Sequence, residues 1–425
     1  MTTASSCDPG TASRASAAPV RPALIAVLAL LTAVAPLATD MYLPAFPRMA
    51  EDLHTSAAGI QLTLTAFLIG LGLGQLFIGP LSDATGRRRP LLAGSLVCLA
   101  AGIVCAVAPN VGVLAGARFV QGLGGAAGIV LARAIISDTA RGAAAAKLLG
   151  IVMIISVISP VVAPLSGGAI VTAGGWRAVF WALSGLTLLM VAGAALVVRE
   201  SLPESARTRG GFAATVHGGR VVLGNRNYVG YLLTFCFAFA ALFAYISASP
   251  FVMQDVMGLS AGVYSMIFGL NALFIVVTSA AATALAGRVS YRAMITAGLA
   301  VAAVATIGLF ASVLADVPAV PTLVCFALFQ GALGLIFSNA TALALAETGA
   351  HAGTGSAFLG FLQFALAAVV SPLVGLWGEQ TARPMAVMMI VSVGLSVLAY
   401  TTLTRASSSP RTLAEGQVDV PSHAG

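Results

Sequence analysis

Two ionised side chains lie deep inside long apolar runs: Asp40 in "ALIAVLALLTAVAPLATDMYL" (23–43) and Arg118 in "VGVLAGARFVQGLGG" (111–125). A charge at membrane depth costs at least about 2.5–3.5 kcal/mol on insertion scales, so such a residue is a functional candidate by default. A neighbouring cation favours the ionised form of a carboxylate and loss of water favours the protonated form. An acid whose surroundings alternate can therefore take up and release a proton. Counting about 1.5 Å per helical residue, Asp40 lies roughly 24 Å along its run from Leu24, and Arg118 roughly 10 Å in from Val111 on the returning run. Both fall in the same outer third of a bilayer, and proton coupling is the chemistry expected of them. Two competing readings stay open: Asp40 caps the "YLPAFP" turn, and Arg118 ties backbone carbonyls. Pro36 and Pro44 bracket Asp40, so the helix is expected to bend or break there. Arg133 lies near the opposite end of its run and can snorkel to the interface.

The elements that must position these groups follow from composition. The chain has 425 residues, 59% hydrophobic and 8% charged. Soluble domains carry about 25% charge, so this chain cannot coat a water-facing surface and is expected to be an integral membrane protein. The apolar runs are continuous rather than alternating, which favours helices over a barrel. Spans of about 20 residues are expected near 23–43, 59–82, 90–108, 111–134, 147–172, 178–198, 228–252, 262–286, 292–314, 319–345, 354–377 and 384–404. The expected class is an all-α membrane protein with twelve transmembrane helices in two pseudo-symmetric six-helix bundles, 21–199 and 228–404, joined by a polar linker, 200–227. Residues 1–20 and 405–425, rich in Ala, Ser and Pro, read as disordered cytoplasmic tails. A cleaved signal peptide fits poorly: the apolar run continues past "AVA" (33–35), and cleavage would leave eleven spans.

Lys and Arg in short loops stay on the cytoplasmic side. With both termini inside, sixteen inside Lys and Arg face three outside, namely Arg48, Arg177 and Arg383. The net charge of +7 then reflects topology, and no nucleic-acid partner is implied. The stretch "GPLSDATGRRRP" (79–90) holds more than a positive stop. Gly79 allows close packing and Gly86 a positive-φ turn. Asp83 can accept from a helix N-terminus, where the dipole favours an anion.

An internal repeat supports the two halves. "FVQGLGGAAGIVLARAIISD" (119–138) matches "LFQGALGLIFSNATALALAE" (328–347) at a shift of 209, pairing Gln121 with Gln330 and Asp138 with Glu347. "SPVVAPLSGG" (159–168) matches "SPLVGLWGEQ" (371–380), and Gly287, Arg288 and Arg292 echo the 79–90 loop. Arg118 has Ala327 as its counterpart, so the amino-terminal half carries a costly charge that its copy lacks.

"GPLSDATGRRRP" fits the loop signature G-x-L-[SA]-D-x-x-G-[RK]-[RK] of the major facilitator superfamily, which the chain therefore resembles. "TDMYLPAFPRMAEDL" (39–53), "RFVQGLGGAAG" (118–128) and "APLSGG" (163–168) are similar to the bicyclomycin and chloramphenicol resistance (Bcr/CflA) family of drug:proton antiporters. "FAYISASPFV" (243–252) and "YSMIFGLNAL" (264–273) point to its bicyclomycin branch. The resemblance covers all twelve spans. It implies alternating access and proton-driven export, with Asp40 and Arg118 in proton coupling and substrate response. It also implies a latch of Gly79, Asp83, Gly86, Arg87, Arg88 and Asp138, in which Asp83 meets the start of the eleventh helix and Arg87 pairs with Asp138. Pro160, Pro164, Gly167 and Gly168 become an antiporter hinge; from the residues alone they equally read as a structural kink. Ala163 stands where the antiporter signature usually has Gly, a small residue in either case.

Pockets for organic compounds are mostly apolar with few polar groups. Tyr42, Gln61, Phe67, Tyr245, Phe251 and Asn271 are the candidate substrate contacts. Other classes fit less well. The single lysine, in "GAAAAKLLG", makes no phosphate-binding loop, no histidine lies in a span, and no reactive cluster converges, so neither a primary pump nor an enzyme is expected. No metal site or cofactor is expected either. The expectation is a monomeric, proton-coupled exporter of drug-like small molecules in a bacterial inner membrane, with protons and the lipid bilayer as its other partners. A metabolite exporter is the alternative, and a non-transporting receptor a remoter one.

Overall fold

A helix satisfies every backbone polar group within itself, which is why apolar runs of this length cross lipid as helices. The computed structural model describes residues 22–140, 142–207, 211–315, 319–375 and 381–404. The tails expected at 1–20 and 405–425 lie outside the described residues, as does the end of the "SPLVGLWGEQ" repeat. The helices are α1 (Pro22–Asp40), α2 (Phe46–Asp52), α3 (Ala57–Thr85), α4 (Arg88–Ala106), α5 (Val111–Thr139), α6 (Gly142–Val197) and α7 (Gly211–Gly224). They continue with α8 (Arg226–Phe251), α9 (Ala261–Ala284), α10 (Tyr291–Leu314), α11 (Ala319–Ala346), α12 (Ala352–Leu373) and α13 (Arg383–Leu403).

Eleven of the described segments are long and apolar enough to cross a membrane. The α6 run holds two crossings. Its 56 residues would be far longer than a bilayer is thick, and Gly175, at φ 75° and ψ 179°, breaks it where a residue with a Cβ would be strained. The chain thus makes twelve crossings, so Pro22 and Thr404 lie at one end of the molecule, here the Arg87 end. The loops at 41–56 and 252–260 mark the other, the Tyr42 end.

Packing follows the repeat. The α3–α5 contact has its copy in α9–α11, α4–α5 in α10–α11, α4–α6 in α10–α13, and α1–α5 in α8–α11. Between the halves, α3 meets α12 and α6 meets α9. Two elements were not legible in the sequence. The linker contains the 14-residue α7, which packs on α3, α8 and α12. Beyond Asp40 the chain turns through a 3-10 segment, Leu43–Ala45, into α2.

Candidate functional site

Small residues bring α5 onto α3. A Cβ on Gly122 would collide with the Phe67 carbonyl oxygen, and one on Gly70 with that of Phe119. This approach sets Arg118 beside Phe67. The guanidinium is fully buried. Its carbon lies 4.1 Å from the Phe67 ring centre, 4.4 Å from that of Tyr42 and 5.8 Å from that of Phe180. Arg118 Nη1 donates to Gln121 Oε1 at 2.7 Å and Nη2 to the Ala38 carbonyl at 2.9 Å.

The geometry corrects the expected Asp40–Arg118 ion pair. The arginine holds the backbone of α1 two residues before Asp40, and no Asp40–Arg118 salt bridge exists among the described residues. A carbonyl at a helix C-terminus has no intrahelical partner, so it competes for the guanidinium. The expected break after Asp40 is present: α1 ends there. Asp40 is only 5% exposed, and its Oδ1 has no hydrogen-bond partner among the described residues. Among the described residues, Asp40 Oδ1 forms no cap on the following turn.

Asp40 lines a cavity of about 280 Å³ between the two halves. Pro36, Thr39 and Asp40 of α1 and Pro160 of α6 form one wall; Phe239, Phe243, Phe268, Phe337 and Phe364 furnish the other with aromatic faces. The polar groups here are few. Thr39 donates to the Ala35 carbonyl and Ser279 to the Gly334 carbonyl. Gln330 is 1% exposed and its Oε1, like Asp40 Oδ1, lacks a partner among the described residues.

The substrate contacts named from sequence are not on this wall. Tyr42 is buried among Phe46, Phe180 and Arg118. Phe67 lies against Arg118. Gln61 Nε2 donates to the Ser247 carbonyl at 3.0 Å, joining the halves. Phe251 meets Phe46 across the halves, with ring centres 6.0 Å apart. Tyr245 accepts from Asn271 Nδ2 at 3.0 Å and stacks on Phe268, directly behind the cavity. All six are buried; the two tyrosine hydroxyls among them are already engaged in packing, with Thr63 and with Asn271. A readable signal for this wall was the i, i+4 spacing of Phe239 and Phe243 in α8, which puts them on one helix face.

The Gln61 bond, the Phe46–Phe251 contact and a bond from Gln254 Nε2 to the Pro44 carbonyl at 3.1 Å close the cavity at the Tyr42 end. Gly167 and Gly168 take part. A Cβ on the first would strike the Met41 carbonyl, and one on the second would strike Ser265 of α9. Pro160 and Pro164 lie inside the same helix, and Ala163 is fully buried.

At the Arg87 end, Gly86 has φ 92° and turns α3 into α4. Arg87 Nε donates to Asp138 Oδ2 at 3.0 Å, and Nη1 reaches both Asp83 and Ser82. Asp83 is half-exposed and engages Arg87 rather than the start of α12, so the expected contact with that helix is not formed in this structure. Arg88 Nη2 donates to the Ala195 carbonyl. The Gly79 position is roomy: a Cβ there would meet only Val130, at 4.0 Å. Sequence reasoning missed Glu200, whose carboxylate accepts from the Arg87 and Arg88 main-chain N–H groups at 2.7 and 3.2 Å, at the N-terminus of α4. Partial burial pushes its carboxyl up, but the main-chain donors and the nearby Arg207 outweigh it and hold the carboxyl below the ordinary value.

A twelve-crossing helical bundle with an apolar cavity between repeated halves, closed at the Tyr42 end, is the architecture of a membrane transporter. The sequence profile of the Major Facilitator Superfamily matches residues 28–372. The chain is 37% identical to the uncharacterized MFS-type transporter YdgK of Bacillus subtilis, over 91% of this chain and 96% of that one. It is 31% identical to a bicyclomycin resistance protein homolog of Haemophilus influenzae, over 89% and 96% of the two chains. The chain belongs to the Major Facilitator Superfamily, in the bicyclomycin and chloramphenicol resistance family. Solved structures of the same fold include a D-xylose–proton symporter, at a TM-score of 0.72 and 14% identity, over 90% of this chain and 98% of that one. A bacterial homolog of the human lysosomal transporter Spinster, in an inward-facing conformation, also aligns at 0.72, with 15% identity over 90% and 96% of the two chains.

Proposed function

We propose that this protein is a proton-coupled exporter of drug-like small organic compounds. One observation carries the reading: a buried carboxyl with no cation partner among the described residues, Asp40, stands in the wall of a mostly apolar cavity between two repeated halves. Intramembrane acids of this kind mark ion and proton pathways, and apolar walls with few polar groups suit organic ligands. The drug-resistance name of the Haemophilus relative supports the substrate class. In this reading the bundles 21–199 and 228–404 rock about the cavity, with the linker 200–227 between them. Both termini and the Arg87 end face the cytoplasm of a bacterium, and the monomer is the working unit. With the Tyr42 end closed, substrate enters from the Arg87 end. Opening the Tyr42 end and bringing Asp83 to the start of α12 completes the exchange, with Gly167 and Gly168 as the sliding contact.

The test is transport by purified protein in proteoliposomes, using chloramphenicol and the dye ethidium as probes. Inverted vesicles with an acidified lumen should accumulate substrate without ATP, and a protonophore should abolish accumulation. Uptake that ignores the protonophore contradicts proton coupling.

A further inference from the structure

The cavity holds a second unpartnered acceptor, and the repeat explains why it is free. In α5, Gln121 Oε1 accepts from Arg118. In α11 the matching glutamine is Gln330, but the residue matching Arg118 is Ala327. With no guanidinium to fill it, Gln330 Oε1 is left without a donor among the described residues, at a position where the residue lines the cavity. Leaving a buried acceptor unmade is costly, so an acceptor kept in this state invites a ligand.

The rest of the polar wall has the same sign. Ionised Asp40 presents acceptors only, and the hydroxyls of Thr39 and Ser279 direct their hydrogens to the Ala35 and Gly334 carbonyls. No Lys, Arg or His lines the cavity among the described residues. The aromatic faces attract cations and flat rings alike.

We infer that Gln330 is a specificity-determining residue, whose Oε1 reads an N–H or O–H donor on a neutral or cationic aromatic ligand held between the α8 and α11 phenylalanines. Anionic ligands meet no cation there. The inference rests on the reading of this cavity as the transport site.

Proflavine and acridine orange test it. Both are cationic tricycles with the same ring N–H, but the amine hydrogens of the first are methyl groups in the second. Dye polarisation titrations on the purified full-length protein should show proflavine bound about fivefold or more tightly, roughly the worth of one hydrogen bond, although acridine orange is the more apolar. Gln330→Met, close in shape, should remove that preference and leave acridine orange affinity within about twofold. Gln330→Glu should keep it, because the acceptor remains. Fluorescein, a tricyclic anion, should not compete. Gln330→Leu gives the same comparison should Gln330→Met not be recovered as a monodisperse folded protein. If the ratio between the dyes is the same in the parent and the Met or Leu variant and acridine orange affinity is also unchanged, Gln330 reads neither the amine nor the shared ring N–H, and the inference falls while the transport-site reading stands. Competition by fluorescein overturns the ligand class. If neither dye binds the parent, the cavity is not a site for organic compounds, and both readings fall.

Discussion

In α5, Gln121 is sealed beneath Arg118, whose guanidinium also grips the Ala38 carbonyl of α1 and the rings of Tyr42 and Phe67. In α11 the corresponding Gln330 lines the cavity, its Oε1 is buried without a partner among the described residues, and phenylalanines stand nearby in the cavity wall. The tight glycines sit at different places in the two copies. Gly122 touches the α3 backbone, whereas a Cβ on its counterpart, Gly331, would meet only Thr278 Cγ2 and Phe274 Cβ at an ordinary 3.8 and 4.0 Å; in α11 it is Gly334 that lies against the α9 backbone at Ile275. At the Arg87 end, Asp138 takes an arginine, and its counterpart Glu347 takes the amides of Asn225 and Asn227. One half is built around a buried cation and the other presents aromatic rings to the cavity. The two copies part at one costly position, Arg118 in the first and Ala327 in the second.

The largest effect should come from Arg118. Arg118→Ala removes two charge-assisted bonds, worth about 1.5–3 kcal/mol each, so melting should fall steeply and export by a hundredfold or more. Arg118→Lys should not restore it, because one ammonium cannot reproduce two directed bonds and ring stacking. The arginine holds backbone rather than the Asp40 carboxylate, so any remaining export should keep the parent's pH profile. A profile displaced to higher pH would show that the ion pair forms in another state of the cycle. Next, Gly122→Ala should destabilise by about 1–3 kcal/mol, the usual cost of overpacking, while Gly331→Ala should stay within about 0.5 kcal/mol. Thermal unfolding of both in one detergent makes that comparison, and equal losses would mean the two helix contacts are alike after all.

Much of this contrast was legible in the sequence. The twelve crossings follow from apolar run length, the halves from the shift of 209, and the Ala327 gap from the same alignment. Arg87 and Asp138 are within bonding distance. What stayed illegible depends on partners from distant helices. Tyr42, Phe67 and Tyr245 look like ligand contacts when read singly, and only the packing shows Arg118, Phe180 and Asn271 already occupying them. The Ala38 carbonyl could not compete for Arg118 on paper, because a sequence does not show which backbone oxygen a buried guanidinium will find. Glu200 read as one charge among several in a linker, yet it caps α4 from more than a hundred residues away.

Smaller effects sharpen the comparison at the Arg87 end. Arg87→Ala should slow turnover roughly tenfold with substrate affinity retained, since it shifts the balance of states remote from the cavity. Glu347→Gln should change turnover less, because its partners are amides rather than a cation. Parallel binding and transport assays separate the two quantities, and a matching loss of affinity in Arg87→Ala would place the loop in the binding site. The smallest effect belongs to Glu200. Its carboxyl is held below the ordinary 4.5, so its contribution is complete above that pH and is lost as the pH falls through the depressed value. Melting curves of Glu200→Gln and the parent should therefore differ at neutral pH and converge in acid. Curves that stay parallel would show that the carboxylate contributes nothing as an anion.

The central claim is that Asp40 carries the proton. Its most direct test is the proton release that chloramphenicol or ethidium provokes from detergent-solubilised protein in weakly buffered solution. The parent should release protons on adding a substrate that it binds. Asp40→Asn, which keeps size and hydrogen-bonding character but removes the titratable group, should bind the substrate and release none. Release by Asp40→Asn equal to the parent's would contradict the account and move the proton site elsewhere.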